Sequence, residues 1–67
     1  MRLKEVRQSR SLTQADVAES LHIKQNTYSQ YESGLRQIPV VLLVELSELY
    51  GVTVDYLLGR TRLEDKF

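Results

Sequence analysis

The sequence has no cysteine, no tryptophan, one proline and a single histidine in 67 residues. Without cysteine, neither a disulfide nor a thiolate metal site can form. The lone histidine, His22, stands among Leu21, Ile23 and Lys24 and has no neighbouring ligands with which to build a zinc site, so no metal and no cofactor is expected. Long apolar runs are missing too. The longest, residues 38–44, contains Pro39 and falls far short of the roughly 20 residues of a membrane span. Arg2, Lys4, Glu5 and Arg7 interrupt any signal-peptide pattern; a cytoplasmic location with no membrane partner is expected. Neither charge sign is in excess, since nine basic and nine acidic residues cancel.

A neutral total argues at first against a nucleic-acid partner. The distribution of charge softens that objection. Arg2, Lys4, Arg7 and Arg10 lie at the start and Lys24 and Arg36 flank the middle, whereas Glu45, Glu48, Asp55, Glu64 and Asp65 come later. Such a molecule can carry one basic face, and binding responds to the local field. The size adds a second constraint. A domain this small buries only about 60% of the surface its unfolded chain exposes, so Leu, Val, Ile and Tyr must form an efficient core, helped by self-association.

Hydrophobic spacing and punctuation predict five helices and no strand, an all-α domain over residues 1–59 followed by a short charged tail, 60–67. The first helix spans about 2–10, with Leu3 and Val6 on one face. Thr13 caps the second, Asp16 completes a shortened capping box, and Leu12 and Val17 form a hydrophobic staple. Val17, Ala18 and Leu21 are its buried face. After a short connection the third helix runs over 25–33, with Tyr28 and Tyr31 inward and Gly34 at its left-handed end. Pro39 suits the first turn of a fourth helix, 39–50, that buries Leu42, Leu43, Leu46 and Leu49. Thr53 caps a fifth, 54–58, closed by Gly59.

The third helix carries the functional signal. With Tyr28 and Tyr31 inward, its outer face holds Asn26, Ser29, Gln30 and Ser33, flanked by Gln25 and Thr27. A solvated helix face is ordinarily laced with Glu and Lys, which form helix well; amides and hydroxyls stabilise helices poorly. Base-edge recognition gives them a purpose. Asn and Gln can make two hydrogen bonds to adenine in the major groove, and Ser or Thr can serve any base.

In order, Leu12-Thr13-Gln14-Ala15-Asp16-Val17-Ala18-Glu19-Ser20-Leu21, Ile23, and then Gln25-Asn26-Thr27-Tyr28-Ser29-Gln30-Tyr31-Glu32-Ser33-Gly34 resemble the Cro/repressor-type helix-turn-helix family. Its members are also called xenobiotic-response-element-type regulators. Ile38-Pro39 and Gly51-Val52-Thr53-Val54-Asp55-Tyr56-Leu57-Leu58-Gly59 match the family's fourth and fifth helices, so the resemblance covers nearly the whole chain up to Arg60.

The resemblance implies a lambda-repressor-like fold and sequence-specific binding of double-stranded DNA by a transcriptional regulator, most simply a bacterial or phage-type repressor acting by occlusion. It implies base contacts from Gln25, Asn26, Thr27 and Gln30. It implies phosphate contacts from Gln14, Lys24, Ser29, Arg36, Gln37 and Arg10, and an ion pair between Arg7 and Glu32. A homodimer joined near the fifth helix, through Val54, Tyr56, Leu57 and Leu58, would meet a pseudo-palindromic operator. Two positions depart from the family pattern. His22 stands where a left-handed glycine is usual, and Lys24 where Ser or Thr commonly caps the recognition helix.

Two other classes are weighed. An enzyme needs a pocket with convergent titratable groups, and the only histidine here lies in a tight turn, so catalysis is not expected; no small-molecule ligand is evident either. A protein-interaction or dimerisation module, or an antitoxin-like component with secondary DNA binding, is the stronger rival, supported by the zero net charge and the lysine at the cap.

Overall fold

The structure, a computed structural model, describes residues 1–61; most of the expected charged tail lies outside the described residues. The described elements are five helices: α1 (Leu3–Ser9), α2 (Gln14–Leu21), α3 (Gln25–Ser33), α4 (Val40–Tyr50) and α5 (Val54–Leu58). Short connections force each helix against its neighbours. α2 packs most extensively on α3, and α4 bridges α2 and α5.

Local chemistry sets these boundaries. Thr13 and Asp16 make a reciprocal capping box: the Thr13 hydroxyl accepts from the Asp16 backbone N–H at 3.0 Å, and Asp16 accepts from the Thr13 N–H at 2.9 Å. The backbone bond from Thr13 holds the Asp16 carboxyl below the usual aspartate range. α2 stops because His22 turns left-handed, at φ 58°, a conformation histidine adopts more readily than most residues. Gly34, at φ 82°, ends α3 in the same conformation, where a side chain would be strained. Pro39 adopts extended backbone and stands at the N-cap of α4, so the helix begins at Val40, one residue later than expected. α1 is likewise shorter than expected at both ends, with Arg2 and Arg10 as its flanking residues.

One core joins all five helices: Leu3, Val6, Val17, Ala18, Leu21, Tyr28, Tyr31, Ile38, Leu43, Leu46, Tyr50, Val52 and Leu57 are buried. Leu12 and Ile23 pack against it, consistent with their place ahead of α2 and α3. Two expectations are corrected. Leu49 is 41% exposed, and Tyr50 takes the inward position of α4 instead. Leu57, expected on a self-association surface, is wholly buried in the domain's own core; of the α5 group, only Leu58 is exposed, with Val54 and Tyr56 half-buried. Arg2 ties α1 to α5. Its N–H donates to the Leu57 carbonyl at 2.8 Å, and its guanidinium lies 4.4 Å from the Tyr56 ring centroid. No helix among the described residues is long and apolar enough to cross a membrane.

Candidate nucleic-acid interface

α3 is held from beneath by its two tyrosines, Tyr28 fully buried and Tyr31 nearly so. The Tyr28 hydroxyl lies 2.9 Å from that of Tyr50 on α4. Burial, followed by the hydrogen bonds with Tyr50 and Glu32, pushes Tyr28 well above the ordinary tyrosine pKa. Fixing this side turns the other side outward. Gln25, Asn26 and Ser33 are exposed, and Thr27, Ser29 and Gln30 are half-buried. The expected base-reading residues are thus all uncharged and at least partly accessible.

The approach to that surface is built around the expected ion pair. Arg7 Nε donates to Glu32 Oε2 at 2.6 Å, with side-chain exposures of 10% and 5%. A second guanidinium nitrogen donates to the Leu12 carbonyl at 2.8 Å, so α1, the start of α2 and α3 meet at one arginine. Gln14 Nε2 donates to Glu32 Oε1 at 3.0 Å. Burial works against ionisation of Glu32, but hydrogen bonds from Arg7, Gln14 and Tyr28 outweigh it and hold the carboxyl below the usual glutamate range. The hydrogen bond to Glu32 raises Arg7 in turn. Both groups stay charged at neutral pH. No described buried side-chain polar atom is left without a partner.

The remaining expected contacts fall in several places. Gln14 and Ser29 line a common cleft of about 290 Å³ together with Lys4, Glu32 and Ser33. Lys24 is exposed at the N-cap of α3, and its ammonium, which has no acceptor, gives the helix no side-chain cap. Arg36 and Gln37 are exposed in the loop after α3, and the Arg36 N–H bonds back to the Gln30 carbonyl at 3.3 Å. Arg10 is committed elsewhere. Its Nε donates to the Tyr50 carbonyl at 3.0 Å, satisfying an end of α4 that needs a donor. The sequence reading missed Lys4 as part of the cleft and the bond between Gln14 and Glu32; neither has a local signal, since both arise from the meeting of α1, α2 and α3.

Two short helices in a tight turn, the second presenting an uncharged amide-rich face beside a cleft with a lysine, define a helix-turn-helix domain of the DNA-recognition type. The family model described as Helix-turn-helix matches residues 3–57. The chain belongs to that Cro/repressor-type helix-turn-helix family. It is 45% identical over 65 residues to the HTH-type transcriptional regulator ImmR of Bacillus subtilis, covering 97% of this chain and 51% of that protein. It is 38% identical over 61 residues to the HTH-type transcriptional regulator AnsR of the same organism, covering 91% of this chain and 53% of that protein. Similarity extends to the cryptic phage CTXphi transcriptional repressor RstR of Vibrio cholerae, 28% identical over 67 residues, 97% of this chain and 60% of that protein. The chain thus spans about half the length of the curated relatives it matches. No solved structure matches it.

Proposed function

We propose that this domain binds double-stranded DNA sequence-specifically, with α3 in the major groove, and serves a cytoplasmic transcriptional regulator that represses by occlusion. The observation that carries the reading is the outer face of α3: exposed amides and hydroxyls, free of charge, on a helix anchored by buried tyrosines. Membership of the helix-turn-helix family and relatives named as transcriptional regulators support it. Gln25, Asn26, Thr27 and Gln30 read base edges. Gln14, Lys24, Ser29, Arg36 and Gln37 meet phosphates, which set register and affinity but not sequence. Arg10 is left out of this set because its guanidinium serves α4.

The family resemblance supports a homodimer of such modules. Its recognition helices would meet half-sites about 34 Å apart, and Leu58, with the half-buried Val54 and Tyr56, is the surface assigned to the contact.

The test is a selection from random duplex DNA at moderate salt, repeated with Gln25, Asn26 and Gln30 all replaced by alanine. A motif with two-fold symmetry, lost in the variant, is expected. On the selected site, Gln25→Ala or Asn26→Ala is expected to relax preference at single base pairs by about 1–3 kcal/mol, whereas Gln14→Ala weakens all sequences alike. No enrichment by folded protein would overturn the reading in favour of a protein-interaction module. Equal, sequence-independent losses in both classes of variant would overturn the division of roles.

A further inference from the structure

Most of the exposed large apolar side chains among the described residues stand on α4: Val40, Val41, Val44 and Leu49. Val41 is 69% exposed. The only charges along this helix are Glu45 and Glu48, both exposed. They lie one turn apart, where like charges oppose helix formation. Neither carboxylate has a hydrogen-bond or ion-pair partner among the described residues. A face kept merely soluble is ordinarily laced with Glu–Lys pairs, and α4 has no lysine or arginine.

The carboxylates border a concavity. Glu45, Glu48 and Leu49 line a cleft of about 330 Å³ with Ser20, Leu21 and His22 from the end of α2 and its turn. Leu21 and Leu49 offer aliphatic carbon, and the glutamates offer negative charge. A lysine or arginine side chain matches both, its methylene stem against carbon and its cationic head at the carboxylates.

The face also looks away from the reading surface. Tyr28 and Tyr50 meet through their hydroxyls, so the inner sides of α3 and α4 face each other across the core. Val41 lies about two and a half turns before Tyr50 and so points the opposite way.

We propose that the outer face of α4 docks a basic segment of a partner protein, one arginine or lysine entering the cleft and apolar neighbours covering Val41 and Val44. Charge selects this occupant. Glu45 and Glu48 repel the phosphates of a nucleic acid. A two-fold contact of the face with its own copy would set these glutamates against each other. A cation between them relieves their mutual repulsion, and the apolar side chains beside it remove the valines from water. The surface is separate from the face of α3, so the proposal does not depend on which DNA sequence is read.

The probe is a synthetic amphipathic peptide of leucine and arginine, compared with the same peptide carrying glutamate for arginine. Amide resonances of the isotope-labelled chain are followed at moderate salt. The arginine peptide should shift residues 20–22 and 41–49 saturably and leave 25–30 in place, whereas the glutamate peptide should shift neither set. Glu45→Gln with Glu48→Gln should weaken the arginine peptide about tenfold, the loss expected for two solvated ion pairs. Val41→Ser should weaken it as well. The glutamine variant should hold a selected operator with unchanged affinity and salt dependence.

Shifts scattered over the whole surface, or a glutamine variant that binds the peptide as tightly as the wild type, would overturn the proposal. A changed salt dependence of operator binding would place the face on the duplex and overturn it too. Concentration-dependent shifts of the same α4 amides without peptide would assign the face to a second copy instead of a partner protein.

Discussion

Removing the Glu32 carboxylate should bring this domain close to unfolding. Glu32→Ala leaves Arg7 one strong acceptor, the Leu12 carbonyl, and strips its counter-charge from a site where the two side chains are 10% and 5% exposed. Stranding one member of a buried pair costs about 3–5 kcal/mol. A domain of 67 residues has about 3–10 kcal/mol of stability in total, at about 0.05–0.15 kcal/mol per residue. Urea unfolding followed by circular dichroism reads the effect directly. With a slope of about 1 kcal/mol per molar urea for a chain this small, the midpoint should fall by about 3–5 M. Replacing both partners with apolar residues, Arg7→Met with Glu32→Leu, should recover most of the loss, because no charge is then stranded.

The same residue gives a pH signature. The native Glu32 carboxyl titrates below its ordinary value, so its contribution is complete above the unfolded value of about 4.3. It is lost as pH falls from there through the native value. The wild type should weaken across that window more steeply than the variant. Asp16, also depressed, leaves a shared slope in both proteins. A Glu32→Ala loss below about 1 kcal/mol, the range of a solvated surface pair, would refute the reasoning.

Two further outcomes test the core and the turn. His22→Gly should raise stability by about 0.5–1 kcal/mol by thermal melting, since relief of left-handed strain of about 1–2 kcal/mol exceeds the added unfolded-state entropy of glycine. Tyr28→Phe strands the Tyr50 hydroxyl and should lower stability by about 1–3 kcal/mol. In the wild type, absorbance at 295 nm should show Tyr28 and Tyr50 ionising only as the domain unfolds, because burial raises both. Groups raised in this way withdraw stability as pH climbs above about 10.

The parts of the fold legible in the sequence were those with local causes. The capping box at Thr13, the left-handed stops at His22 and Gly34, and the inward pair Tyr28 and Tyr31 each follow from residues a few positions apart. α4 was harder to read because apolar residues surround it. Val40, Val41, Leu42, Leu43, Val44, Leu46, Leu49 and Tyr50 leave periodicity no single face to choose. The hydroxyl contact with Tyr28 accompanies the inward turn of Tyr50, while Val40, Val41 and Leu49 remain exposed. Adjacent leucines at 57 and 58 pose the same problem, one entering the core and one facing solvent. In the candidate site, the Arg7–Glu32 pair came from family resemblance. The engagement of Arg10 with α4 and of Gln14 with Glu32 depends on how helices dock, which no local window contains.

The tyrosine contact beneath α3 also determines when the outer face becomes ordered. Tyr28 reaches Tyr50 across the core, Glu32 engages α1 and α2, and Arg36 bonds back to Gln30. The backbone freedom of that helix is therefore surrendered when the chain folds, before any partner arrives. Its side chains alone remain to be immobilised on contact, at about 0.5–1.5 kcal/mol each. Shallow amides and hydroxyls can suffice for recognition on such a platform, because the surface they present is already in its working shape.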